Sequence, residues 1–242
     1  MDQAKEMLTV NGIDVQIVRK DIKNLHLAVY PPNGHVRVAV PKHVTDDNVR
    51  LAVVSKLSWI KKQQKAFAGQ SRQSERQYIS GECHYYFGKR YRLKLIERIG
   101  KHEIVLLKSG KLKMFVNPNT SVANKEKLLD EWRRAELKGR VPELIEKWQP
   151  VIGEEVANWG IRKMKTKWGS CNIAQSRIWL NLELAKKPIE CLEYILIHEM
   201  VHLLERNHND NFSEYMDKLL PQWRSHRDVL NRGPLGHEDW RY

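Results

Sequence analysis

The sequence predicts an α+β fold, with a β-rich N-terminal part followed by a helix-dominated C-terminal part. Three observations carry this expectation. Short segments up to about Val116 alternate apolar with polar residues and are separated by turn residues. Beyond Asn117-Pro118-Asn119-Thr120 the apolar spacing changes from two to a mixture of three and four. Near the end, Ile189 to Glu205 form a strongly apolar helical stretch.

The elements follow in order. Ile13, Val15 and Ile17 alternate as a strand, as do Leu25, Leu27 and Val29. Val36, Val38 and Val40 continue the pattern after the turn Pro31-Pro32-Asn33-Gly34. Thr45 opens a helix with Asp46 and Asp47 in its first turn, and Val49, Leu51, Val53, Val54, Leu57, Trp59 and Ile60 supply its apolar residues. The basic, polar stretch from Lys61 to Arg76 is expected to be a loop or linker. Tyr85 to Ile96 and Ile104 to Val116 read as strands, with turns at Gly88, Gly100 and Gly110. Ser121 to Trp148 reads as a helix through Leu128, Leu129, Trp132, Leu137, Leu144 and Ile145, with Pro142 expected to split it. A second helical piece is expected to end at Gly160. Two short strands, Ile161 to Trp168 and Arg177 to Leu184, then flank a loop that opens with Gly169-Ser170-Cys171-Asn172. No internal repeat is visible. The expected domains are residues 1–120 and 121–242.

Composition narrows the functional classes. The chain has 242 residues, 41% of them hydrophobic, which is enough for a buried core and too much for a disordered chain. No apolar run approaches the ~18 residues that a spanning helix needs. The start, Met1-Asp2-Gln3-Ala4-Lys5-Glu6, is mixed in charge, and no apolar stretch of signal-peptide type follows. Cys83, Cys171 and Cys191 are far apart and odd in number, which argues against a disulfide framework. A cytoplasmic protein without integral membrane association is expected. Lys and Arg total 42 against 29 acids, a net charge of +13, which favours anionic partners such as nucleotides or nucleic acid.

The chemistry concentrates at His198-Glu199-Met200-Val201-His202. At ~100° per residue the two histidines stand ~40° apart and about one turn apart on a helix, so both imidazoles reach one metal ion. Glu199 lies ~100° from His198, off that line, where it reaches a water on the metal rather than the metal itself. His208 is the expected third ligand. A turn at Arg206-Asn207, with Asn207 in the left-handed conformation that ends helices, returns it toward the pair. Three neutral nitrogens and a water make an open catalytic zinc site, one Zn2+ per chain. Glu205 and Glu214 compete for the third position, and Glu205 has the further option of orienting an imidazole.

These segments resemble a known family. Lys167-Trp168-Gly169-Ser170-Cys171-Asn172, Ile178-Trp179-Leu180-Asn181, Tyr194 to Leu203 and Asn207-His208 with Phe212 look like the YgjP-like metallopeptidases, and more distantly the SprT-like proteases. The run from Gly81 to Tyr91, with Tyr86, Gly88 and Lys89, is similar to the N-terminal part of the same family. Asn172 stands where a serine is common, and Ser213 where a tryptophan is common. The resemblance implies a compact zincin-type domain with a small sheet above the active-site helix. It also implies zinc on His198, His202 and His208 and Glu199 as general base.

The function expected is a zinc-dependent hydrolase, foremost a metallopeptidase acting on peptides or proteins through a metal-bound water. A nucleotide pyrophosphatase and a nucleic-acid-binding protein with structural zinc are the alternatives. Tyr215, Arg206, His226 and His237 are candidate donors to an anionic intermediate. Trp168 to Cys171 reads either as a substrate-binding edge strand or as packing, with Cys171 as an extra ligand or switch in a further reading. The run Lys61, Lys62, Lys65, Arg72 and Arg76 and the patch Lys163, Lys165 and Lys167 are candidate phosphate contacts.

Overall fold

Alternation in the first forty residues does produce strands. The computed structural model describes residues 6–30, 33–69, 76–164 and 167–232. Four strands, β1 (Glu6–Val10), β2 (Ile13–Lys20), β3 (His26–Tyr30) and β4 (His35–Pro41), form a sheet in the order β1-β2-β4-β3. Val15, Ile17, Val36, Val38 and Val40 bury one face of it. The helices α1 (Asp46–Ser55) and α2 (Leu57–Gly69) cover that face through Val49, Val53 and Ile60. Thr45 caps α1 by accepting the Asn48 N–H.

The expected loop from Lys61 is instead helical as far as Gly69. Leu57, Ile60 and Gln64 share one side of α2, and the Gln64 side chain donates to the Gly34 carbonyl at 3.0 Å. Lys61, Lys62 and Lys65 are therefore the solvent face of a packed helix, while Arg72 lies outside the described residues.

A second sheet repeats the first. β5 (Cys83–Tyr86), β6 (Lys89–Glu97), β7 (Glu103–Leu107) and β8 (Lys111–Val116) take the order β5-β6-β8-β7, again with a parallel central pair and antiparallel flanks. Both hairpins turn on two residues of positive φ, Asn11-Gly12 and Phe87-Gly88. The landmarks keep one spacing: 12 to 88, 34 to 110 for the glycines before β4 and β8, and 45 to 121 for the helix caps. The repeat missed in the sequence is thus present in the fold. Matched core positions share burial rather than identity, as with Val36 and Leu112 or Val38 and Met114.

This duplication also corrects the domain boundary. The compact units are Met1–Ser74 and Glu75–Gly233, not a division near residue 120. The helix after β8 packs on the second sheet through Leu129 and continues into the core of the C-terminal half through Leu137 and Val141, so nothing separates there.

That helix, α3 (Val122–Ile152), runs unbroken through Pro142. A proline inside a helix costs about 3 kcal/mol. Leu137, Val141, Ile145, Trp148 and Ile152 lie buried along one stripe across it, and each such side chain contributes roughly 1.5–3 kcal/mol. Burial wins. The helix stops at Gly153, whose φ of 83° lets its N–H return to the Gln149 carbonyl. The expected second helical piece is not formed, since β9 (Asn158–Arg162) follows directly.

β9, β10 (Gly169–Asn172) and β11 (Arg177–Asn181) make a three-stranded sheet in the order β10-β11-β9, with β10 at an edge. Ile178 and Leu180 of this sheet share a core with Leu192 and Leu196 of α4 (Ile189–Val201). The small sheet beside an apolar helix agrees with the fold the resemblance implies. α5 (Asp210–Leu219) and α6 (Trp223–Arg232) close this core through Phe212, Met216, Trp223 and Leu230. The three cysteines are free thiols. No helix among the described residues is long and apolar enough to cross a membrane.

Candidate metal centre

Helix α4 is apolar nearly all round, and nine of its residues are buried, as expected of a helix enclosed in a core. His198 and His202 emerge from its last turn, where α4 ends with His202 as C-cap. The helix stops short of the expected Glu205.

The return of His208 does not use a left-handed Asn207, which is absent from the residues of positive φ. The Asn207 N–H instead donates to the Glu205 carboxylate at 3.0 Å. Asn209 then caps α5 by accepting the Phe212 N–H at 3.0 Å. Two short-range side-chain bonds thus fix a turn that backbone strain was expected to make.

Three imidazoles meet as a result. One ligand atom from each of His198, His202 and His208 lies within 4.8 Å of the other two. The His198 and His208 Nε2 atoms are 3.0 Å apart. Two nitrogens each ~2.0–2.1 Å from one tetrahedral ion stand about 3.3 Å apart, so the pair is close to ligand geometry. His202 Nδ1 meets the Glu205 carbonyl oxygen at 3.0 Å, a contact that assigns its proton to Nδ1 and leaves Nε2 a lone pair. Phe212 forms the floor, its ring centroid 4.8–4.9 Å from all three histidines. Burial, then the neighbouring imidazoles, pushes His198 down to about 3. Burial and His202 likewise lower His208. Convergent imidazoles, His198 and His208 among them held below the ordinary value, fit a divalent cation well, since a ligand imidazole must be unprotonated.

The rival ligands stand elsewhere. Among the described residues, neither Glu205 nor Glu214 joins the group. The Glu205 carboxylate organises the turn, while its backbone carbonyl orients His202, so the orienting option holds through the main chain.

Glu199 is 5% exposed. Burial raises its carboxyl to about 8, and the Lys167 charge and the Cys171 N–H pull it back. Gly169 explains how β10 comes so near. A Cβ there would lie 2.5 Å from a Glu199 carboxylate oxygen. Asn181 holds the approach, donating to the Met164 and Lys167 carbonyls at 2.8 and 2.7 Å and accepting the Met164 and Glu183 N–H groups. Gly169→Ala is expected to lower kcat by about 10–10²-fold through displacement of Glu199, and to lower the melting temperature as well, since overpacking a buried position costs about 1–3 kcal/mol. Steady-state kinetics beside a thermal melt checks it.

A cleft of about 1140 Å³ opens over these groups. β10 lines it with Gly169 to Asn172, and among the described residues Lys167, Arg206 and Arg227 bring three cations against the single carboxylate of Glu199. Of the expected donors, Arg206 lines the cleft, while Tyr215 and His226 do not; His237 lies outside the described residues. Tyr194, Arg227 and Asn231 line it too, and the sequence reading assigned them no role. Tyr194 precedes His198 by one helical turn, which was a readable signal; Arg227 and Asn231 depend on where α6 packs. Trp168 packs against the core and also lines the cleft. Burial, with Glu199, pushes the Cys171 thiol up to about 11, and it is not among the convergent ligands. Lys163 pairs with Glu126 and Asp130 at 3.1 and 3.3 Å, so it does not serve the cleft. Lys165 lies outside the described residues.

No curated protein matches the sequence. Among solved structures, the chain is similar to the metallopeptidase zymogen abylysin of Pyrococcus abyssi, at 23% identity and a TM-score of 0.36, over 39% of this chain and 99% of that one. The family model described as YgjP-like, metallopeptidase domain, matches residues 23–233, nearly the whole chain. The protein therefore belongs to the YgjP-like metallopeptidase family.

Proposed function

We propose that the chain is a zinc peptidase in which His198, His202 and His208 hold one Zn2+ and Glu199 is the general base. The observation that carries this reading is the convergence of three imidazoles beside a buried carboxylate. Zinc, when bound, supplies Lewis acidity that polarises an oxygen and acidifies water.

The chain's own groups do the rest. The Glu199 carboxylate, held by the Cys171 N–H, takes the proton of the attacking water and hands it to the leaving amine. The outer edge of β10 receives an extended peptide as a further strand. Tyr194 and Arg227, both lining the cleft, are donors for the oxyanion that develops. Phe212 shields the underside of the histidines from water. The three free thiols are compatible with a reducing compartment such as the cytoplasm, the setting proposed for the reaction.

A second reading has one observation behind it. Among the described residues, Lys167, Arg206 and Arg227 outnumber the one acid lining the cleft, which favours an anionic substrate such as a nucleoside triphosphate. Purified protein loaded with zinc separates the two. Cleavage of unstructured protein substrates, abolished by a chelator and restored by zinc, is the expected result. Pyrophosphate release from nucleoside triphosphates without any peptide cleavage would overturn the peptidase reading.

A further inference from the structure

The second sheet carries a face that neither the core nor the metal centre uses. Leu93, Leu112, Met114 and Val116 point inward and are buried. The opposite face carries Arg90, Arg92 and Lys94 on β6 and Lys111 and Lys113 on β8, four of them exposed and Lys113 half-buried. The parallel register sets Arg92 beside Lys111 and Lys94 beside Lys113. Like charges directly opposite each other destabilise a sheet, so packing alone does not favour this arrangement. None of the five has an ion-pair partner among the described residues, and the acid on this face, Glu103, is engaged by Arg98 at 3.1 Å.

The repeat supplies an internal comparison. At the matched positions the first sheet has Asp14, Gln16, Val18, His35 and Arg37. The same topology therefore forms with one permanent cation there, and five are not a requirement of the fold. Flat and apolar groups are interleaved with the cations. Tyr85 stands opposite Arg90, Leu107 opposite Lys111 and Val105 opposite Lys113, and Phe115 follows Lys113 along β8. All four are half-buried. The Arg98 guanidinium lies over the Phe115 ring, 4.0 Å from its centroid, so Tyr85 is the ring of this face left for a ligand. Residues two apart along a strand are about 6.7 Å apart and neighbouring strands about 4.8 Å. That grid of charge matches the phosphate repeat of an extended polynucleotide.

We propose that this face binds single-stranded nucleic acid, with the five cations on the phosphates and Tyr85 against an exposed base. A duplex keeps its bases stacked inside and leaves that ring without a partner. An anionic bilayer offers charge but no planar groups. The proposal does not depend on the metal or on the peptidase reading.

The test uses the full chain and fluorescence anisotropy of labelled oligo(dT) and oligo(U) over a range of salt. Arg92→Gln combined with Lys111→His copies the first sheet. It is expected to weaken binding at least tenfold and to reduce the log–log salt slope by about 1.4, because two phosphates are left without a cation. Its melting temperature should hold or rise as like charges separate; if it falls, Lys94→Gln alone carries the test with a slope change of about 0.7. Lys61→Gln combined with Lys62→Gln removes the same charge from α2 and should leave the slope unchanged. Absence of binding at low salt overturns the proposal, as does an equal loss in the α2 variant. Tighter binding of duplex DNA or of phosphatidylserine vesicles than of oligo(dT) overturns it too.

Discussion

Glu199→Gln is expected to lower kcat about 10²–10⁴-fold while zinc content stays at wild-type level. The amide keeps the shape of the carboxylate, and its oxygen still accepts the Cys171 N–H, so the cleft is preserved. What it loses is the ability to take a proton from water. Glu199 is buried against Gly169, and among the described residues no other acid lines the cleft. Peptide-cleavage kinetics with elemental analysis on the same preparation makes the measurement. Activity within a few-fold of wild type would end the general-base assignment. It would favour a structural ion, as in a nucleic-acid-binding protein.

His208→Ala is the second large effect. With His208 as one of the three proposed nitrogen ligands, its removal is expected to reduce zinc from about one per chain to a small fraction after dialysis. Activity should disappear with it. The thermal shift on adding zinc checks this independently. A ligand at a hundred times its Kd stabilises by about 2.7 kcal/mol, so wild type should melt higher with zinc and the variant should not. Glu205→Gln serves as the contrast. Its carboxylate organises the turn and its main-chain carbonyl orients His202, so zinc should be retained. Zinc held by His208→Ala but lost from Glu205→Gln would move the third ligand to Glu205.

Much of the site was legible because its spacing is local. Four residues separate His198 from His202, and helix geometry alone puts their imidazoles on one side. His208 was legible as a residue but not as a mechanism. The turn was expected to rest on Asn207 in the left-handed region, whereas the Glu205 carboxylate and the Asn209 cap hold it. Gly169 and Asn181 were visible in the sequence as members of family motifs. Their work depends on β10 lying against α4, which no local pattern states. Arg227 and Asn231 were out of reach for the same reason.

The fold divides along a similar line. Alternation foretold β2, β3 and β4, and Thr45 with the acids after it marked the start of α1. Pro142 misled, because its local cost is offset by burial of Val141 and Ile145 that only the packed core supplies. The repeat was hidden because burial asks for apolar volume, not identity, so Val38 and Met114 serve the same position. The α+β class, the candidate ligands and the carboxylate between two of them were all readable along the chain. These rest on short-range periodicity, which each segment carries alone. Packing in three dimensions set where the domains part, what holds Glu199, which side chains line the cleft and that five cations share one face of a sheet. Each of those is a contact between residues distant in the chain, fixed by register and packing rather than by spacing.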